Sequence, residues 1–162
     1  PGKNPLLAVR IIHELFEKGY PVVLNVYGEG PEVEKLKQYI TENNLSGNIF
    51  IHGNQPQAVF IEGYKNSHFC ILPSQSEGWP KAIAEGMFYG CVPVATAISC
   101  VPWILENGSR GILIDQNIAN DVITIEEVIN SNSKYHQMSQ RAMEWSRNYT
   151  LEKFEQAIED LL

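Results

Sequence analysis

Five short apolar runs, each followed by a loop and then by residues with helical spacing, constrain the fold of this chain more tightly than any other feature. The runs are residues 22–27, 49–52, 69–72, 92–95 and 111–114. Each is rich in Val, Ile, Leu or Phe and too short for a helix, and all but the last run straight into a loop marked by Gly or Pro. Helical spacing occupies 5–18, 32–44, 58–66 and 81–89 between the runs, and a new helix begins near Pro102. Beyond Asp115 the chain reads as helical to its end, over 120–130, 133–148 and 151–162. Strands that alternate with helices through short loops predict βαβ units, an α/β fold and a doubly wound parallel sheet with right-handed crossovers and C-terminal helices. The first helix should bury Leu6, Val9, Ile12, Leu15 and Phe16 along one stripe, and the second should be polar and solvent-facing. In such a sheet a ligand sits beyond the carboxyl ends of the strands.

With 162 residues, 44% hydrophobic and 19% charged, the chain has the material for one well-cored domain. Its net charge of -7 argues against nucleic acid as a partner, since phosphate backbones are met by clustered Lys and Arg. The 20-residue stretch 86–105 holds no charge, which raises the question of a membrane span. Gly90, Pro93 and Pro102 break it into helix end, strand, loop and new helix, as a strand buried on both faces would require. Cys70, Cys91 and Cys100 have no metal spacing, and an odd count without a signal peptide points to a reducing, cytoplasmic compartment and unpaired thiols. There is no Asp-x-Asp to grip a diphosphate through a divalent ion, and no Cys/His cluster, so neither metal nor other cofactor is expected.

The stretch 74–87 carries the chemistry. Glu77 falls in the loop after the 69–72 run, and Glu85 lies eight residues later in the following helix. Pro80 suits the first helical position, which would leave the amides of Lys81 and Ala82 as free donors for an anion. Glu85 then lies about 7 Å along the axis from Pro80, so the two carboxylates flank a helix start at different depths. A ligand with phosphate in its middle and hydroxyls at both ends suits that layout. The helix macrodipole alone also favours glutamates near a helix start.

The whole string, Leu72-Pro73-Ser74, Glu77-Gly78-Trp79-Pro80, Glu85-Gly86-Met87 and Gly90-Cys91-Val92-Pro93-Val94, closely resembles the donor-site signature of the retaining glycosyltransferases of family 4, which have the GT-B fold. A weaker similarity runs through Gly28-Glu29-Gly30-Pro31 and His52-Gly53. The resemblance implies that the ligand is a nucleotide diphosphate sugar. Glu85 would accept hydrogen bonds from the ribose hydroxyls, since a carboxylate suits a vicinal diol. Glu77 would face the donor sugar, helped by backbone amides around Gly78 and Trp79, and the helix start at Lys81 would receive diphosphate. Gly28, Gly30, His52 and Gly53 would lie near the nucleotide, although a turn explains Gly28 and Gly30 equally well. Lys3 looks like the Lys of an Arg and Lys pair that neutralises the departing diphosphate; the Arg and its strand would precede residue 1. As a terminal residue Lys3 is expected to be loosely held. Where many relatives have a Gly-Gly loop, this chain reads Ile98-Ser99-Cys100, which puts donor identity in doubt.

The expectation is therefore a single nucleotide-sugar-binding domain, the C-terminal half of a two-domain transferase whose separate N-terminal domain holds the acceptor. Membrane association, where the family shows it, is peripheral and belongs to that other half. A non-catalytic nucleotide-binding or interaction module, or a nucleotide-sugar epimerase of the same fold, remains open. Leu151, Phe154, Ile158 and Leu161 form an apolar stripe that a second copy of the chain would cover.

Overall fold

The computed structural model describes residues 2–161. Helix α1 (Pro5–Glu17) opens on a proline, whose fixed φ suits a first helical position. It stops at Gly19, which takes φ +88° while its amide and that of Tyr20 bond back to Phe16 and Leu15. Then follow β1 (Leu24–Tyr27), α2 (Val33–Glu42), β2 (Ile49–Gly53), α3 (Gln57–Lys65), β3 (Phe69–Leu72), α4 (Lys81–Phe88) and β4 (Val92–Thr96). Next come α5 (Val101–Ile104), a 3-10 turn (Glu106–Gly108) and β5 (Ile112–Ile114). The chain finishes with α6 (Ile118–Ile129), α7 (Asn132–Ser146) and α8 (Leu151–Glu159). Asn117, Ser131 and Thr150 cap the last three helices, each side-chain oxygen accepting from the amide three residues on.

All strand pairs are parallel, as the alternation predicted, but the sheet is divided. β1 pairs with β2, and β3, β4 and β5 form a second sheet in that order. Among the described residues no ladder joins β1 to β3. α1 lies across the division: Leu7, Ile11 and Leu15 pack with Val92, Val94, Ile112 and Ile114, while Leu6, Ala8 and Val9 pack with Leu24, Leu36 and Ile49. The helix is thus buried over far more than one stripe. Phe16, placed in the core by periodicity, is instead 37% exposed near the helix end, while Ile11 is wholly buried. The second helix likewise buries Leu36 and Ile40.

The strand expected from residue 22 pairs only from Leu24, whose amide bonds Asn48; Val23 stands exposed, and the Val22 carbonyl accepts from the Asn48 side chain. A third cluster joins Ile83 and Met87 of α4 to Ala95, Ile104, Leu105 and Ala142. Ser146 Oγ donates to the Ala84 carbonyl and Ser139 Oγ to that of Gly90, both at 2.6 Å, fixing α7 against α4. Among the described residues no helix is long and apolar enough to cross a membrane. Of the C-terminal stripe, Ile158 and Leu161 are exposed; the side chains of Leu151 and Phe154 lie outside the described ones.

Candidate functional site

Every candidate site residue except Lys3 lies at a strand carboxyl end, in the loop that leaves it or in the first turns of α4, and the fold returns Lys3 to them. Lys3 is well placed, not loose: its Nζ donates to Glu77 Oε1 at 2.6 Å across 74 positions of sequence. The Gly2 carbonyl accepts from the Gln75 amide at 2.8 Å, which anchors the start of the chain just beyond β3. Glu77's side chain is only 6% exposed while Lys3 is open to solvent, so the carboxylate is held in the wall and the ammonium is presented outward.

The start of α4 differs by one residue from the sequence expectation. Pro80 is the residue flanking the helix, with φ -79° and ψ 75°, and Lys81 is the first helical position. The Lys81 amide turns back to the Trp79 carbonyl at 2.9 Å, while Ile83 and Ala84 both bond the Pro80 carbonyl. Ala82 therefore keeps the one open amide among those two, with no backbone partner among the described residues and no side chain capping the helix. Glu85 is one turn further on, partly exposed, with Lys81 Nζ at 3.3 Å from its Oε1. Carboxylate, open amide and carboxylate thus follow one another along the loop and the first turns of α4.

Behind them α3 links the two sheets. Tyr64 lies against Gly86, and its hydroxyl is held above the ordinary phenol range, mainly by burial and then by the negative potential of Cys70, Glu85 and Cys91. Gly63, one residue earlier, faces the Tyr27 ring. Tyr27 stacks on His52, with centroids 4.9 Å apart and planes at 20°, and His52 Nε2 meets Asn25 Oδ1 at 2.8 Å. His52 is exposed and lies over Tyr27, at the mouth of this end of the sheet. Gly28 and Gly53 take φ +104° and +65°, and the Gly28 amide bonds the Gly53 carbonyl at 2.7 Å. Both are required by turn geometry. Gly30 has neither positive φ nor a close neighbour.

Trp79 turns away from Glu77. Its ring packs toward Trp145 and Tyr149, with centroids 6.3 and 6.1 Å away, so only its backbone remains toward the loop. The Gly78 carbonyl accepts from the Cys100 thiol at 3.0 Å, which ties the Glu77 loop to the loop after β4. In that second loop Ser99 holds φ +48°, a left-handed geometry achieved without glycine. Two hydroxyls escaped the sequence reading. Ser74 Oγ and Thr96 Oγ1, just past β3 and at the end of β4, are buried without a hydrogen-bond partner among the described residues. A hydroxyl without a charged neighbour in sequence gives no warning of such a position. Nor does anything in Tyr27 reveal that it will underlie His52. Among the described residues no three His, Cys, Asp or Glu side chains converge as a metal site.

The site therefore offers two lysines, two carboxylates, an open amide at a helix start and an aromatic shelf, all near strand carboxyl ends. That is the equipment for an anionic ligand bearing hydroxyls. Among proteins of known sequence, the chain is 29% identical over 147 residues to an uncharacterized glycosyltransferase of Haemophilus influenzae, covering 88% of this chain and 40% of that protein. The chain thus spans well under half the length of that relative. Among solved structures, a mutant of Staphylococcus aureus TarM in complex with fondaparinux, alpha-GlcNAc-glycerol and UDP superposes with a TM-score of 0.85 at 24% identity, over 99% of this chain and 33% of that one. The C-terminal domain of the glycosyl transferase group 1 family protein LpcC from Francisella tularensis superposes at 0.80 with 17% identity, over 91% of this chain and 80% of that one. These likenesses establish the fold as that of a GT-B glycosyltransferase domain. The family model for glycosyl transferases group 1 matches residues 1–145, and the chain belongs to that family.

Proposed function

We propose that this chain is the donor-binding half of a retaining glycosyltransferase that moves a sugar from a nucleotide diphosphate sugar to a glycan or lipid acceptor. The observation that carries the proposal is the order Glu77, Ala82 amide, Glu85 along the start of α4, with Lys3 bonded to Glu77. The diphosphate sits at the open amide, where the positive end of the helix dipole favours it. Glu85 accepts from the ribose hydroxyls, and Gly28, Gly53 and the His52 ring border the nucleoside. Glu77 accepts from a sugar hydroxyl. As the bond from sugar to phosphate breaks, charge grows on the diphosphate, and Lys3 is placed to meet it. No divalent ion is required by this residue set, so nucleotide binding should survive chelation.

Turnover needs more than the described residues. Among the described residues β1 and β3 each have one unpaired edge, and Gly2 is anchored immediately past the end of β3. A parallel strand leading into Gly2 would fit between them, pair both edges and place a further cation, the Arg of the pair, beside Lys3. A separate domain would hold the acceptor.

The test is a transfer assay on the full-length protein with a UDP-sugar and NMR of the product's anomeric proton. Retention of the donor's configuration is expected. Inversion would contradict the mechanism, and a full-length protein that binds nucleotide sugar without transfer would favour a non-catalytic module.

A further inference from the structure

The three tryptophans of this chain, Trp79, Trp103 and Trp145, are far apart in sequence yet meet in one corner with Tyr149. Trp103 stands edge-on to Trp145, with centroids 5.7 Å apart and planes at 80°, and Trp145 lies 4.4 Å from Tyr149. Two of these indoles are conspicuously open, Trp79 at 48% and Trp103 at 59% exposure, where packing alone would cover them. Trp103, Trp145, Glu106, Asn107 and Arg110 line a cavity of about 300 Å3. That volume is at the low end of the roughly 300–1,000 Å3 typical of small-ligand sites.

The polar wall decides the chemistry of the occupant. Arg110 is already engaged: its guanidinium lies 5.4 Å from the Trp145 ring centroid, donates to the Ile104 carbonyl at 3.1 Å and pairs with Glu106 Oε1 at 3.1 Å. Glu106 also accepts from Ser109 Oγ, and together with Arg110 these contacts hold its carboxyl below the usual range. Glu106 and Arg110 neutralise each other, and Arg141 is only the weakest of the influences on Glu106, so the lining itself carries no net charge. What remains is flat aromatic surface bordered by an anionic acceptor and the Asn107 amide, which can both donate and accept. Glu106, Asn107 and Gly108 hold successive φ values of 47°, 50° and 107°, a left-handed run that keeps this rim turned outward. A neutral ring with one C–H-rich face and a hydroxylated edge matches both halves; a purely apolar partner would strand the carboxylate and amide.

We infer that this corner is a saccharide subsite: a neutral pyranose unit stacks on the exposed Trp103 ring and hydrogen-bonds to Glu106 and Asn107. It is separate from the donor loop, although Trp79 belongs to that loop and borders both. A glycan held here would be gripped at a unit remote from the reacting one. The inference rests on the chain belonging to a glycosyltransferase family, and it does not require the donor site to be assigned correctly.

Because every tryptophan lies in the corner, intrinsic fluorescence reports on it, and the UDP arm identifies any response of Trp79 that comes from the donor loop. Maltotriose and chitotriose are titrated into the protein, with UDP and phospholipid vesicles (phosphatidylethanolamine with phosphatidylglycerol) as separate arms. The expected result is a saturable change with at least one trisaccharide, weakened about fivefold to tenfold in both Trp103→Ala and Asn107→Gly, the scale of one aromatic or polar contact. Asn107→Gly preserves the left-handed backbone, so it tests the amide even if Trp103→Ala is poorly folded. UDP binding, followed in parallel by calorimetry, should be equal in both variants and the parent. No change with either sugar, an affinity in both variants equal to that of the parent, competition by UDP, or a response confined to vesicles would each overturn the inference. Absence of UDP binding would bear on the donor site alone.

Discussion

Gly86→Ala should destabilise the protein by about 2 kcal/mol, although alanine is ordinarily the better helix former by about 1 kcal/mol. Gly86 is the point at which α4 touches β3. A Cβ built there would lie 2.4 Å from Cys70 Sγ and 2.9 Å from Cys70 Cβ, distances that only a shift of the helix or the strand relieves. Both are clamped: α4 by Ser139 and Ser146 of α7, and β3 by its ladder with β4. Urea unfolding should show a lower midpoint with an unchanged slope. Gly30→Ala, where nothing lies within 4 Å and φ is not positive, should stay within about 0.5 kcal/mol of the parent. Adding Cys70→Ala to Gly86→Ala should cost less than the sum of the two, since the larger atom in the clash is gone. Additive costs would mean that the helix and strand are not in contact as described.

Glu85→Ala should weaken UDP binding by a factor of about 10 to 100, with little loss of stability. A hydrogen bond to a charged group is worth about 1.5–3 kcal/mol, and two ribose hydroxyls donating to one carboxylate approach the upper figure. The side chain is 38% exposed and its only ion pair among the described residues is with Lys81, itself 79% exposed, so the fold does not depend on it. Glu85→Gln keeps one oxygen acceptor and should fall between the two. Lys81→Ala should have a much smaller effect than Glu85→Ala, because the amides of the helix start, not the Lys81 ammonium, are assigned to the diphosphate. Equal losses in both would move the site from the carboxylate to the helix surface charge.

The strands were legible in the sequence to within a residue or two wherever both faces are covered. β3 runs over Phe69–Leu72 as its apolar run indicated, since β-branched and aromatic residues without polar alternation leave little choice. Pairing was less visible. Hydrophobic runs say that strands exist but not which edges meet, so the separation of β1 from β3 could only come from coordinates. The boundary at Pro80 moved by one residue because the local turn from Lys81 to the Trp79 carbonyl outcompeted a regular first turn. Within the site, the spacing of Glu77 and Glu85 around a helix start was visible in the sequence, but the helix dipole explains such spacing equally well, and it was the resemblance that marked the two as candidates. The resemblance implied a place for Lys3 near the diphosphate, but its contact with Glu77, a link between residues 74 positions apart, was not visible in the sequence. The aromatic corner left no local trace: Trp145 lies in the last turn of α7 and Tyr149 beyond its end, and nothing in the sequence joins them to Trp79 or Trp103.

The central claim is that a nucleotide diphosphate occupies the start of α4 between the two glutamates. The most direct test is amide NMR of the 15N-labelled chain during titration with UDP, in the presence of EDTA. The account predicts saturable shifts at Ala82, Gly78, Gly28 and Gly53 that need about 10 to 100 times more UDP in Glu85→Ala. Shifts confined to other surfaces, or an Ala82 amide that does not move while UDP binds elsewhere, would contradict it.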